Sequence, residues 1–225
     1  MTVYIEKPAV NLREELASLR NQGGYQEQQF YFDGLVTNGT FDADTSGWTP
    51  VACSVSVVNG AMRITDSDGS IGYVDYRPTL EIGKTYLIVA QVVTDNMSGT
   101  MILNVGTSGG AGQLGTLTMP SVGTYSFTFT ATIEQPYVNL RNINAVAGDY
   151  WDVDNISIYE VDANDDVIHT MPKGWKPKDV FEDGLLQREG AANDYEVVYD
   201  GFDYIIKPTV APSATTQTCV IGVKA

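Results

Sequence analysis

Tyr86-Leu-Ile-Val-Ala-Gln-Val-Val93 is the stretch that decides the fold class. β-Branched and aromatic residues of this kind fit a pleated, half-buried surface. The apolar run ends at Ala90, with Gln91 next, and no longer one occurs, so the chain lacks the roughly 20 apolar residues of a bilayer-spanning helix. Working outward, the same character returns in Ser54-Val-Ser-Val-Val58, Met62-Arg-Ile-Thr65, Met101-Ile-Leu-Asn-Val105, Ser126-Phe-Thr-Phe-Thr130, Val138-Asn-Leu140 and Ile156-Ser-Ile-Tyr159. Most of these alternate with period two, and Gly, Pro and Asn cluster between them. Such a pattern predicts a sandwich or jelly roll of about eight strands over residues 35–161. Composition agrees: of 225 residues, 22 are Gly and 13 Tyr, with 43% hydrophobic and 18% charged, which suits a β-rich globular chain with many turns.

Twenty-eight acidic residues against 13 basic give a net charge of −15. Phosphate backbones and anionic membrane surfaces repel such a chain, which argues against nucleic-acid and membrane partners. Met1-Thr-Val-Tyr-Ile-Glu-Lys7 lacks the basic and apolar regions of a signal peptide, so synthesis in a cytoplasm is expected. Cys53 and Cys219 stand far apart, too few for a cysteine zinc site, and two buried free thiols are expected rather than a disulfide. The single histidine, His169, has no nucleophile elbow near it and reads as a surface linker residue. Gly106-Thr-Ser-Gly-Gly-Ala-Gly112 is glycine-rich, but the residues after Gly112 alternate like a strand, so it reads as a flexible hairpin loop rather than a phosphate cradle. No catalytic signature emerges, and no enzyme is expected.

The ends differ from the middle. Residues 1–25 carry the one helical pattern: Asn11 can cap, Glu14 follows three later, and Leu12, Leu16 and Leu19 form an apolar stripe before Gly23-Gly24 stops it. That stripe either packs on its own domain or serves as an arm that docks on a partner. Asp162-Ala-Asn-Asp-Asp166 reads as an acidic linker. Beyond it, residues 167–225 hold Asp179-Val-Phe-Glu182, Tyr195-Glu-Val-Val-Tyr199, Tyr204-Ile-Ile206 and Thr218-Cys-Val-Ile221, a second, smaller β module.

Asn38-Gly-Thr-Phe-Asp42 with Gly47-Trp48, and Asp152-Val-Asp-Asn-Ile-Ser-Ile158, bound the middle zone. In order and spacing these resemble the opening and closing motifs of carbohydrate-binding modules of the family 4/9 type, which are galactose-binding-like jelly rolls. The resemblance implies a structural calcium where the first and last strands meet. By position Asp42 and Asp154 would be its ligands, the alternative being two solvated turn carboxylates. It also implies aromatic platforms for sugar. Tyr73, Tyr76 and Tyr137 are the candidate glycan contacts, although large aromatics in a sandwich are as readily core or protein interface.

Val180-Phe-Glu-Asp-Gly-Leu-Leu-Gln187, Glu189-Gly-Ala-Ala-Asn-Asp-Tyr195, Val210-Ala-Pro212 and Val220-Ile-Gly-Val223 resemble, in order, a short β module of bacteriophage tail and head appendage proteins. Val3-Tyr-Ile-Glu-Lys-Pro, continuing to Asn11-Leu-Arg-Glu-Glu-Leu16, resembles the start of virion proteins from phages of aquatic bacteria. These likenesses imply a virion structural protein. Its expected organisation is all-β: an N-terminal helical arm (1–25), a small base module (26–34 plus 167–225), an inserted jelly roll (35–161) and the linker 162–166. The arm would dock on other virion proteins, capsid or tail, and the sandwich would be displayed as capsid decoration, head fibre or tail appendage, as a homotrimer. Apart from the structural calcium no cofactor is required. A surface glycan is the expected ligand of the displayed domain, and the alternative reading is a carbohydrate-binding module protein that recognises polysaccharide.

Overall fold

The computed structural model of the chain describes residues 27–32, 34–190, 192–210 and 218–224. The helix expected over 1–25, with Leu12, Leu16 and Leu19, lies outside the described residues. The described residues are all-β. The chain runs through β1 (Glu27–Phe32), β2 (Thr49–Val51), β3 (Cys53–Val58), β4 (Ala61–Asp66), β5 (Tyr73–Tyr76) and β6 (Thr85–Asn96). Next come β7 (Thr100–Gly106), β8 (Gly115–Met119), β9 (Gly123–Thr130), β10 (Tyr137–Ile143) and β11 (Tyr150–Val161). The last part holds β12 (His169–Thr170), β13 (Trp175–Glu182), β14 (Leu185–Leu186), β15 (Tyr195–Tyr199), β16 (Tyr204–Pro208) and β17 (Thr218–Lys224).

Two five-stranded antiparallel sheets, β2-β5-β10-β7-β8 and β3-β4-β11-β6-β9, form a β-sandwich. Alternation decides which side chains fill it. Met62, Ile64, Ile88, Ala90, Leu103, Val105, Val138, Leu140, Trp151, Val153 and Ile158 are fully buried in one cluster, while their neighbours along each strand face outward. Each such aliphatic side chain removed from water contributes about 1.5–3 kcal/mol.

Entrance and exit of the sandwich lie side by side. Leu35 N–H donates to the Ile158 carbonyl at 2.8 Å, and Ile156 N–H donates to the Gly39 carbonyl at 2.9 Å. A Cβ at position 39 would collide with the Ile156 carbonyl, so this approach requires glycine. Phe41 then turns inward against Trp48 (ring centroids 5.6 Å apart), and Trp48 stacks on Tyr76 at 4.9 Å.

A second assembly joins β1, before the sandwich, to the strands that follow it. In the sheet β1-β17-β13-β14, β1 pairs along its length with β17, and β12-β16-β15 forms a separate three-stranded sheet. Their shared core is small: Met171, Val180, Tyr195, Ile206 and Val220, with Phe30 and Trp175 edge-on at 5.2 Å.

Three expectations need correction. Thr49–Val51 and Tyr73–Tyr76 are strands that the sequence pattern missed, so the sandwich has more strands than the eight or so expected; Gly115–Met119 is the strand-like stretch expected after Gly112. Cys53 and Cys219 are free but only half-buried. His169 is not on the surface: it is 5% exposed, held on β12 opposite Ile206. The preceding segment folds back on itself, with the Asp162 carboxylate accepting from the Asn164 and Asp166 amides and Val161 bridging to Val167. Lys207 of β16 pairs with Asp162, which ties this turn to the sheet that carries β12.

Burial pushes the His169 pKa down to about 4 from its ordinary 6.5. Unfolded His169 therefore takes up a proton across this interval while the folded residue stays neutral. Stability falls as pH drops from about 6.5 to 4, by about 3 kcal/mol in total, and is unaffected by this group above 6.5. Denaturant unfolding between pH 7 and pH 4 should show this loss in the natural chain and a visibly flatter profile in His169→Gln.

Candidate functional site

The sheet β2-β5-β10-β7-β8 buries one face in the sandwich and presents the other outward. Residues directly opposite in an antiparallel ladder share a face. The register therefore lines up Thr49, Asp75, Asn139, Asn104 and Thr116 in one row across the outer face. The adjacent row holds Val51, Tyr73, Arg141, Ile102 and Thr118. Beside them, at the chain's start into the sandwich, Thr37, Gly47, Thr49, Asp75, Tyr76, Arg77 and Tyr137 line an open cleft of about 450 Å³.

Polar and aromatic groups converge there. The Arg77 guanidinium lies 4.6 Å over the Tyr137 ring, a cation–π contact that holds both side chains. Asp75 is half-buried, and desolvation raises its pKa, with the Gly110 amide and the Arg77 charge pulling the other way. Its Oδ1 is buried without a hydrogen-bond partner. Thr49 is exposed next to it.

The three expected glycan contacts fare differently. Tyr137 is half-buried and lines the cleft. Tyr73 is half-buried on the outer face, but Gly110 lies against its ring, where an added Cβ would stand 3.2 Å from it. Tyr76 faces the other way. It is 8% exposed, stacked on Trp48, and its hydroxyl accepts from Thr37 N–H at 2.8 Å; it is a core residue that closes the cleft floor, not a platform. Period two explains the split: Tyr73 and Asp75 share a face, Tyr76 takes the opposite one. Sequence reasoning missed Asp75, Arg77, Asn139 and Arg141. The signal was the alternation in Tyr73-Val-Asp-Tyr-Arg77, which marks a strand with a polar outer face.

Asp42 and Asp154 do approach each other. Burial raises the Asp154 pKa and the Asp42 charge raises it further, opposed by the Asn155 amide, which donates to Asp154 Oδ1 at 2.7 Å. Calcium wants six to eight oxygens. The Asn38 carbonyl already accepts from Trp48 Nε1 and the Gly39 carbonyl from Ile156 N–H. The described residues gather no group of three or more acidic, histidine or cysteine side chains. Two carboxylates are thus the acidic donor set among the described residues, and a cation here would complete its shell with backbone carbonyls or water.

No protein-family model matches the chain, and no curated protein matches it. Among solved structures similar to it is a family 4 carbohydrate-binding module, at 18% identity and TM-score 0.47, covering 55% of this chain and 98% of that one. A family 61 carbohydrate-binding module in complex with β-1,4-galactotriose shares 12% identity at TM-score 0.41, over 57% of this chain and 99% of that one. The enzymatically active domain of tailspike protein 4 of bacteriophage CBA120 shares 10% identity at TM-score 0.43, over 57% of this chain and 21% of that one. The structural neighbours are thus mainly carbohydrate-binding jelly-roll domains; at these values the likeness assigns this chain neither ligand nor role.

The carboxylate pair predicts a sign. With a folded-state pKa above the unfolded value, Asp154 favours the fold at low pH and loses that contribution as pH rises through the folded pKa. In chelator at pH 7, Asp154→Asn should melt at or above the natural temperature. In millimolar calcium the order should reverse if a cation joins the two carboxylates, and stay the same if none does; differential scanning calorimetry reads both.

Proposed function

We propose that the protein is a non-catalytic glycan-binding protein whose ligand lies in the cleft between Thr49, Asp75, Arg77 and Tyr137. One observation carries this reading. An aromatic ring pinned by a guanidinium, a half-buried carboxylate with an unpartnered oxygen and an exposed hydroxyl converge on one open cleft of about 450 Å³. That combination suits a polyhydroxylated ring: an apolar face for the aromatic, and hydroxyls that both donate to the carboxylate and accept from the guanidinium. The likeness of Asn38–Trp48 and Asp152–Ile158 to family 4/9 carbohydrate-binding modules supports the same reading. No group in the cleft is placed as a nucleophile with an adjacent base, so binding without chemistry is the simpler role.

The wider role we propose is display on a bacteriophage particle. The sandwich would be an insertion in the base formed by β1 and residues 167–225, anchored through residues 1–25 on other virion proteins, in a homotrimer assembled in the host cytoplasm. The pairing of β1 with β17, on either side of the sandwich in sequence, supports this layout. In this layout the sandwich would project from the paired β1 and β17, as suits an exposed head fibre, capsid decoration or tail appendage that touches host-surface glycan. Particles assembled with a chain lacking residues 1–24 should be devoid of it by mass spectrometry, and its retention would remove the anchoring role.

Isothermal titration against soluble β-glucan, xylan and β-1,4-galactan checks the binding reading. At least one should bind. Tyr137→Ala and Asp75→Asn should each weaken it about tenfold or more, the loss expected for one stacking or charge-assisted contact. Lys178→Ala, on β13 of the base, should not change it. Binding that survives both cleft substitutions would overturn the site.

A further inference from the structure

The connection between β7 and β8 is longer than a hairpin needs. Two residues suffice to join antiparallel strands, yet residues 107–114 intervene. Thr107, Ser108, Gly109 and Gln113 are exposed, while Gly110, Ala111, Gly112 and Leu114 are half-buried. Leu114 N–H returns to the Val105 carbonyl at 2.9 Å, Thr107 N–H donates to Gln113 Oε1 at 3.0 Å, and the glycine-rich stretch folds over the outer face of the sheet.

Its contacts there are those a sugar would make. The Gly110 amide donates to Asn139 Oδ1 at 2.5 Å, and Asn139 Nδ2 donates to the Ala111 carbonyl at 3.1 Å. Arg141 Nη1 donates to the Gly110 carbonyl at 3.1 Å. The Gly110 backbone lies on the Tyr73 ring, and a Cβ on Gly109 would stand 2.8 Å from Asp75 Oδ2. Because the loop roofs them, Asn139 (0% exposed) and Asn104 (3%) are buried although they point away from the sandwich core.

The roof fits badly. Asp75 Oδ1, Asn104 Oδ1 and Arg141 Nε, all on this face, are buried without a hydrogen-bond partner. Of the eight such atoms among the described residues, these three share one sheet face beside the loop. Glycine, serine, threonine and alanine bring little apolar surface to hold it down, a mark of a segment that opens at low cost. Asp75 belongs both to this covered row and to the open cleft, so the two are contiguous.

We propose that the Gly106–Gly112 loop is a self-ligand: it occupies a second sugar subsite formed by Tyr73, Asp75, Asn104, Asn139 and Arg141, and a neutral glycan long enough to extend from the cleft displaces it. The proposal rests on the glycan-binding reading above. A pyranose ring would replace the Gly110 backbone on Tyr73, and its hydroxyls would meet the amides, the guanidinium and the carboxylate oxygen that the loop leaves unpaired. Carboxylate and guanidinium together favour an uncharged sugar over an anionic one. Chain length becomes the selectivity device, since only ligands that reach past Asp75 gain the second subsite.

The experiment compares cello-, xylo- and β-1,4-galacto-oligosaccharides of two and six rings by isothermal titration, on the full chain. One variant replaces residues 107–113 with Asn-Gly. A second, Gly112→Val, acts by collision of the new side chain with Thr116 and Asn104 and keeps the loop length. Either should tighten six-ring binding about tenfold, and Tyr73→Ala added to it should erase the gain. On the natural chain, saturating hexasaccharide should speed hydrogen exchange at Gly109, Gly110 and Ala111 as the loop is released. Unchanged six-ring affinity in both variants, with Tyr137→Ala still weakening binding, would overturn the self-ligand and leave the cleft standing. Slowed exchange at Gly109–Ala111 would also overturn it, the loop then being a clamp. No binding of any oligosaccharide by any of these chains would overturn cleft and subsite together.

Discussion

Strand β11 is the element on which the rest depends. It lies centrally in its sheet, paired with β4 on one side and β6 on the other, and its inward residues Trp151, Val153 and Ile158 anchor the core. It also receives the incoming chain, through the bonds of Leu35 and Ile156 that fix residues 35–39 alongside it. Its far end passes through the Asp162 turn to the base, where Lys207 holds that turn and His169 is buried. Bulges between Asp152 and Val153, and between Asp154 and Ser157, are the cost of serving three partners. Asp152 remains in place because Arg63 binds both its oxygens, at 2.7 and 2.8 Å, while stacking over Tyr150.

That arrangement leaves the other sheet with a different task. β2, β5, β10, β7 and β8 need only bury their inner face, so their outer face is available for chemistry. Along β5 and β10 this freedom shows in side-chain choice: Val74, Val138 and Leu140 fill the core, while Asp75, Tyr137, Asn139 and Arg141 stand outside. At its edges this face carries exposed Thr49, Thr116 and Thr118, as a solvated face does. It also carries amides and a carboxylate sheltered under glycines, with hydrogen bonds left unmade. Buried polar groups without partners are costly, and their occurrence on this face is what the proposed ligand surface rests on.

Much of this was legible from residue order. Long strands with clean alternation, such as Thr85–Asn96 and Gly123–Thr130, were visible because period two repeats often enough to exceed chance. Tyr73–Tyr76 and Thr49–Val51 were not, since three or four residues beside Pro or Gly carry almost no periodic signal. The site suffered accordingly. Tyr73 and Tyr137 could be suspected as aromatics, but Tyr76 could be sorted to the core only once its strand was known. Alternation could place Asp75 on a polar strand face, but no sequence signature says that Asp75, Asn139 and Arg141 meet, because cross-strand register brings them together. The glycine-rich stretch was recognised as a loop, and no local rule says that it folds back over the sheet. His169 differs for a related reason: an acidic neighbourhood looks solvated, yet β12 pairs His169 with Ile206 and buries it.

The central claim is that the outer face of the β2-β5-β10-β7-β8 sheet is the ligand surface. Backbone amide chemical-shift mapping, during titration with whichever oligosaccharide binds, tests it most directly. The account predicts the largest shifts at Thr49, Tyr73–Arg77, Tyr137–Arg141 and the 107–114 loop, with the β3-β4-β11-β6-β9 sheet and the base quiet. Shifts centred on Arg63, Tyr150 and Asp152, or on Trp175, Tyr199 and Phe202 of the base, would contradict it.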